Sequence, residues 1–353
     1  MTRNMAKRKT KSINLALQGG GAHGAFTWGV LECLLEDERV EIAGISGTSA
    51  GALNGAALKA GMIERGRDGA IDKLAWLWGE IGAVDHPSMQ PWIAGMAGVT
   101  PSAVSKSLEY SPVYMWFDAI SRLSRPYNLG VLYENPLRRI VDQFSYDKIC
   151  TDDGPELYVC ATNVRSGKIK IFYRDTISTD AILASGCLPT VFQAVEITDP
   201  KSGVTDAYWD GGYMGNPALF PLFSRDLPKD IVVVNINPLY RETIPKTPQE
   251  IHNRINEISF NGSLFRELRA IDFAQRLLEQ GRVGEEAMKH PLIHMIADDG
   301  LMRQLSVATK IVPNNYVMTS LREAGKRQAK EFLSDHFDTL GASNSVDLRE
   351  MFS

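Results

Sequence analysis

The residues best spaced to do chemistry are Gly47-Thr48-Ser49-Ala50-Gly51, a G-x-S-x-G pattern. A serine at a sharp strand-to-helix turn is lifted clear of the backbone, with its hydroxyl facing the open end of a sheet. The two glycines remove side chains that would collide within the turn. A helix starting just after Ser49 would point free N–H groups, and its positive dipole end, toward developing negative charge. The same five residues also describe a tight turn around a buried serine. Position strengthens the reactive reading: the apolar run 42–46 (IAGIS) precedes the pattern, and a helix-like stretch through Leu58 follows it.

A second feature lies upstream. Gly19-Gly20-Gly21-Ala22-His23-Gly24 follows the apolar run 13–17 (INLAL) and precedes apolar residues at helical spacing, Phe26, Val30, Leu31 and Leu34. Consecutive glycines let backbone N–H groups converge on one point, a nest for an oxyanion or another anion. The same residues spell G-x-G-x-x-G, so a dinucleotide site is the competing reading. That site needs an acid at the end of the second strand to hold a ribose, and Ser46 and Gly47 stand there instead. Glu38 and Glu41 have roughly the right separation but fall before the strand.

A serine hydroxyl is a poor nucleophile until a base takes its proton. None of the histidines, His23, His86, His252, His290, His294 and His336, sits in a recognisable triad context. Spacing leaves the last four open as bases in a serine–acid–histidine order. The other candidate is Asp210, in Tyr208-Trp209-Asp210-Gly211-Gly212-Tyr213. Taken alone, that segment reads first as an Asp-Gly turn.

The ordered set Gly19–Gly24, Gly47–Gly51 and Asp210-Gly211-Gly212 resembles the signature of the patatin-like phospholipase family. Two more stretches are similar to it: Ala184-Ser185-Gly186-Cys187-Leu188-Pro189, followed by Phe192 and Val195, and the extension Tyr213-Met214-Gly215-Asn216-Pro217. The resemblance spans about residues 12–240. It implies an α/β, patatin-like three-layer fold, with a central mostly parallel sheet and helices on both faces. It also implies a lipid acyl hydrolase working through an acyl-enzyme, with Ser49 as nucleophile and Asp210 as base. The N–H groups of Gly19, Gly20, Gly21 and Ala22 would form the oxyanion hole, supported by His23, Gly24, Gly47, Gly51, Gly211 and Gly212. His23 departs from the family pattern, which often carries Arg or Lys there; the alternatives are a role toward the substrate phosphate and simple packing of the first helix. Hydrolysis and acyl transfer to an alcohol share this chemistry.

The surrounding elements read as the opening of a parallel α/β sheet. Further strands are expected at 157–161, 169–173 and 231–236, with a weaker one at 292–296. Helices are expected at 68–81, 250–279 and 316–337. The segment 89–127, rich in Trp, Met and Tyr, reads equally as a cap over a greasy site or as an irregular subdomain. The expected organisation is a basic disordered leader (1–12), a catalytic domain (13–240) and a C-terminal helical extension (241–353) packed on the same domain. The chain has 353 residues, is 44% apolar and 23% charged, and carries a net charge of −4, which suits a globular protein with a sizeable core. Five basic residues in the first twelve admit two readings: a solvated tail, or weak attraction to anionic headgroups in a peripheral membrane contact. The four widely spaced cysteines read as ordinary thiols of a reducing compartment, and cytoplasmic localisation is expected. No metal-ligand spacing or nucleic-acid patch is found, and the resemblance implies a lipid or lysolipid substrate and no cofactor. Two alternatives remain: a non-enzymatic lipid-binding module using the same fold, and a dinucleotide-binding protein using the glycine loop.

Overall fold

The computed structural model describes residues 10–83, 100–111, 127, 134–284 and 286–352. Most of the basic leader and most of the 89–127 segment therefore lie outside the described residues. Strand β1 (Lys11–Leu17) starts two residues earlier than expected, because the Lys11 N–H already bonds to the Arg39 carbonyl at 2.8 Å and Ser12 pairs with Glu41.

After β1 come helix α1 (Gly24–Glu36), β2 (Val40–Thr48) and the long helical stretch α2 (Ala50–Ala83), interrupted at Arg65 and Gly66, where Gly66 takes a φ of 65°. Helix α3 (Pro101–Glu109) precedes β3 (Glu156–Asn163), β4 (Ile169–Tyr173) and helix α4 (Thr179–Ser185). The hairpin β5 (Val195–Thr198) and β6 (Thr205–Asp210) leads to β7 (Asp230–Asn235) and helix α5 (Pro248–Glu279). Strand β8 (Leu292–Ala297) and helices α6 (Val307–Ile311) and α7 (Asn315–His336) follow. Helix α5 starts where the sequence encodes a start: Thr247 accepts from the Glu250 N–H, and Glu250 accepts from the Thr247 N–H.

The sheet order is β5-β6-β3-β2-β1-β7-β8, with β4 also paired to β3. The pairs β3–β2, β2–β1, β1–β7 and β7–β8 are parallel, and β4, β6 and β5 join antiparallel. Every residue of β7 is buried, as befits a strand covered on both faces. Alternation along β1 divides the core. Ile13, Leu15 and Leu17 join a cluster with α1, α2 and α7, whereas Ala16 joins one with Leu264, Leu268 and Ile271 of α5. Three layers result, as the family resemblance implied.

The residues beyond 240 are integral to these layers. Strand β8 extends the sheet, α5 covers one face, and α7 crosses α1 with glycines on both sides. A Cβ on Gly29 would sit 1.9 Å from the Arg322 carbonyl oxygen, and one on Gly325 2.1 Å from that of Phe26. The hairpin β5–β6 was not among the expected strands. Its Val195-Glu-Ile-Thr alternation is short and half exposed, and a turn with Gly203 at φ 69° closes it.

Candidate active site

The elbow forms at the carboxyl end of β2. Ser49 takes a φ of 53°, uncommon for a non-glycine residue, and α2 starts at the next position. A Cβ on Gly47 would meet the Gly51 carbonyl oxygen at 2.6 Å, and one on Gly51 would meet that of Leu17 at 2.1 Å. Both glycines of the pattern are thus required by close backbone approach. The Ser49 N–H donates to the Ser185 hydroxyl at 2.8 Å, which ties the elbow to α4. Ser185 is fully buried, and sequence reasoning gave it no role of its own.

Asp210 ends β6, and register brings it to the elbow. Strand β4 occupies one edge of β3 from Tyr158 to Thr162. The other edge is shared: β2 pairs up to Thr48–Cys160, and β6 takes over at Asp210–Ala161. The tips of β2 and β6 therefore meet beside consecutive residues of β3. The backbone of Asp210 is fixed by its N–H to the Cys187 carbonyl (2.8 Å) and by the Thr162 hydroxyl on its own carbonyl (2.9 Å). Its carboxylate accepts the Gly212 N–H at 2.7 Å and has the Ser49 hydroxyl as a neighbour. Burial pushes the Asp210 pKa up to about 7; the Gly212 N–H and the neighbouring Ser49 hydroxyl only partly oppose it. The glycines after Asp210 answer to crowding. A Cβ on Gly211 would lie 2.3 Å from the Cys160 oxygen, and one on Gly212 2.3 Å from the Phe260 ring.

The glycine loop stands on the opposite side of Ser49, and a Cβ on Gly19 would be 2.8 Å from the Ser49 Cβ. Of the four amides expected as oxyanion donors, that of Gly19 is already committed, donating to Asn216 Oδ1 at 2.6 Å. Among the described residues the N–H groups of Gly20, Gly21 and Ala22 have no acceptor, and all three residues line the cavity. Gly21 has a φ of 57°. Gln18 braces the loop by accepting the N–H groups of Ile236 (2.9 Å) and Asn237 (3.1 Å). His23 is buried. Thr309 donates its single hydroxyl proton to the Ser306 carbonyl, so His23 Nε2 is the donor to Thr309 Oγ1 at 2.8 Å. Burial, reinforced by nearby Lys310, holds the imidazole well below its usual pKa and hence neutral. It packs the start of the first helix and brings no charge to the site.

Ser49 and Asp210 open onto a cavity of about 360 Å³ with apolar walls that include Leu53, Trp78, Leu188, Phe192 and Phe260. Of the histidines left open as bases, His252 lines this cavity, and its ring accepts from Asn256 Nδ2 at 3.2 Å. His294 is sealed against Asp230 at 2.9 Å, near the amino ends of β7 and β8, away from Ser49. His290 precedes β8, His336 packs at a tilt against Phe332 near His294, and His86 lies outside the described residues. Glu38 and Glu41 lie at the amino end of β2, away from the glycine loop that a dinucleotide would need them to complement. Cys160 and Cys187 are buried free thiols, and Cys33 and Cys150 are half-buried. Among the described residues no group of three metal-ligating side chains occurs, and no helix is long and apolar enough to cross a membrane.

The sequence profile of the patatin-like phospholipases matches residues 15–223, which hold the glycine loop, the elbow and Asp210. A solved structure, that of VipD from Legionella pneumophila, is similar to the chain at 14% identity with a TM-score of 0.41, covering 99% of this chain and 77% of that one. No curated protein sequence matches significantly.

Proposed function

The chain belongs to the patatin-like phospholipase family, a family of lipid acyl hydrolases, and from that membership we propose that it hydrolyses the carboxylic ester of phospholipids or lysophospholipids through a Ser49–Asp210 dyad. Ser49 Oγ attacks the ester carbonyl carbon while its proton passes to Asp210. The oxygen that becomes negative receives the N–H groups of Gly20, Gly21 and Ala22, each worth on the order of 3 kcal/mol to the transition state. As the C–O bond to the alcohol breaks, Asp210 returns the proton to the leaving oxygen, and the acyl group remains on Ser49. Water then gives a proton to Asp210 and attacks the acyl-enzyme. The fatty acid departs, and Ser49 recovers its proton.

The observation that carries this reading is the Asp210 carboxyl, buried against the Ser49 hydroxyl and raised toward neutrality. A base of ordinary aspartate strength is feeble toward an alcohol, whereas one titrating near the working pH is matched to proton transfer. The apolar cavity walls suit an acyl chain. Labelling with a fluorescent fluorophosphonate, together with turnover of p-nitrophenyl esters of increasing chain length, tests the proposal. Wild type should label and turn over, and Ser49→Ala and Asp210→Asn should lose both. A folded wild type that does neither would leave the fold as a lipid-binding module. Full activity in Asp210→Asn would move the base to a histidine, with His252 first to be tried.

A further inference from the structure

Lys310 lies in α6, beyond the segment that carries the family signature, yet it lines the same cavity as Ser49. Its ammonium donates to Asn237 Oδ1 at 2.6 Å. The acid that acts on it, Glu257 of α5, is paired instead with Arg241 at 2.5 Å and Arg254 at 3.1 Å. A half-buried cation with one neutral partner is costly to keep, so what it holds in place is informative.

An ammonium can only donate, so the Asn237 carboxamide must turn its oxygen toward Lys310 and its NH2 group toward the glycine loop. There Nδ2 donates to the Gly19 carbonyl at 2.9 Å and to Gln18 Oε1 at 3.0 Å. In a trans peptide the carbonyl and the following N–H point to opposite sides. Anchoring the Gly19 carbonyl on Asn237 therefore directs the Gly20 N–H away from Asn237. The Lys310 backbone reinforces the arrangement: a Cβ on Gly21 would fall 2.2 Å from its carbonyl oxygen, so the loop rests directly against α6.

We infer that Lys310 is a positioning residue for ester hydrolysis: by locking Asn237 it fixes the Gly19–Gly20 peptide with the Gly20 N–H toward the ester oxygen, and its ammonium makes that end of the cavity positive. The inference rests on the acyl-hydrolase reading of the cavity, and it gives the C-terminal extension a direct part in the site. The charged and titratable groups acting around Lys310 are Glu257 from α5, Arg241 from the segment before α5, and His23 from the loop, which is neutral. Burial brings the ammonium down to about 8, Glu257 opposes that shift and Arg241 adds to it. The charge is thus present at neutral pH and lost in mildly alkaline solution.

The test measures the fluorophosphonate labelling rate and p-nitrophenyl ester kinetics for wild type, Lys310→Met, Lys310→Arg, Asn237→Ala and the Lys310→Met/Asn237→Ala pair, each checked for folding by thermal melting. Lys310→Met should lower kcat about tenfold to a hundredfold with KM nearly unchanged, and the double variant should be no worse than the worse single one. Lys310→Arg should recover much of the rate. In wild type the rate should fall as pH rises through about 8, and that fall should vanish in the Arg variant. This last comparison holds even if Lys310→Met fails to fold. A folded Lys310→Met with wild-type rates, or a wild-type profile flat to pH 10, overturns the inference while Ser49 labelling leaves the hydrolase reading standing. If wild type itself does not label, both fall together.

Discussion

The Ser49 hydroxyl and the Asp210 carboxylate are neighbours, although the strands that lead to the two residues do not pair with each other. Strand β3 aligns them: Thr48 pairs with Cys160, and Asp210 with Ala161, one position along the same edge. A strand parallel to β3 and one antiparallel to it thus meet end to end, with Asp210 at the tip of one and Ser49 just past the tip of the other. Because the alignment is built from backbone hydrogen bonds in a buried sheet, the contact is set before any substrate arrives.

Asp210 links activity and stability to pH with opposite signs. As the proposed base it must be ionised, so turnover should climb as pH rises through about 7. For stability, its folded pKa lies above the unfolded value, so the folded state binds more protons between roughly pH 4 and 7. Its contribution is full below the unfolded value and is lost as pH rises through the folded one. Asp210→Asn should therefore be inactive yet melt higher than wild type at pH 8, by about 1–2 kcal/mol or a few degrees, with a smaller gain at pH 5. Paired thermal melts at the two pH values measure this; a lower melting temperature for the variant at pH 8 would refute it.

Gly212 should couple to Phe260. Gly212→Ala drives a methyl group into that ring and displaces the N–H that holds the Asp210 carboxylate. A rate loss of at least about tenfold is expected, by analogy with losing one positioned hydrogen bond. Phe260→Ala in the same chain should restore much of it, because the obstruction is a half-buried side chain and not backbone. A double-mutant cycle on kcat/KM reads the coupling.

Ser185→Ala removes the acceptor for the Ser49 N–H. An amide left without a partner costs about 1–3 kcal/mol. Because it belongs to a residue held at positive φ, labelling should slow along with the loss of stability. Chemical denaturation and labelling rates on the same preparation would show both; a rate unchanged beside reduced stability would confine Ser185 to the fold.

The crossing of α1 and α7 predicts that the extension cannot be removed. Gly325→Ala places a methyl group 2.1 Å from the Phe26 carbonyl oxygen, and Gly29→Ala one 1.9 Å from that of Arg322. Neither neighbour is a movable side-chain tip, so each variant should lose about 2–4 kcal/mol. A chain ending at residue 240, which lacks β8 and exposes the edge of β7, should be insoluble when expressed.

Sequence alone determined the parts that depend on local spacing. The glycine loop, the elbow and the aspartate turn were legible because each demands small residues at fixed offsets, where backbone atoms approach within contact distance. The buried strand β7 was legible as a continuous apolar run, and the helices α5 and α7 from their helical patterns. Tertiary structure decided what depends on register and on partners distant in the chain. It engaged the Gly19 amide through Asn216, leaving three free donors where four were expected. It raised Asp210 toward neutrality, because burial cannot be read from an Asp-Gly-Gly sequence. It left His23 neutral against Thr309 and brought Asn237 and Lys310 to the loop from beyond the signature. No periodicity marks such residues, because their roles come from polar atoms meeting across layers, and only the packed fold sets those distances.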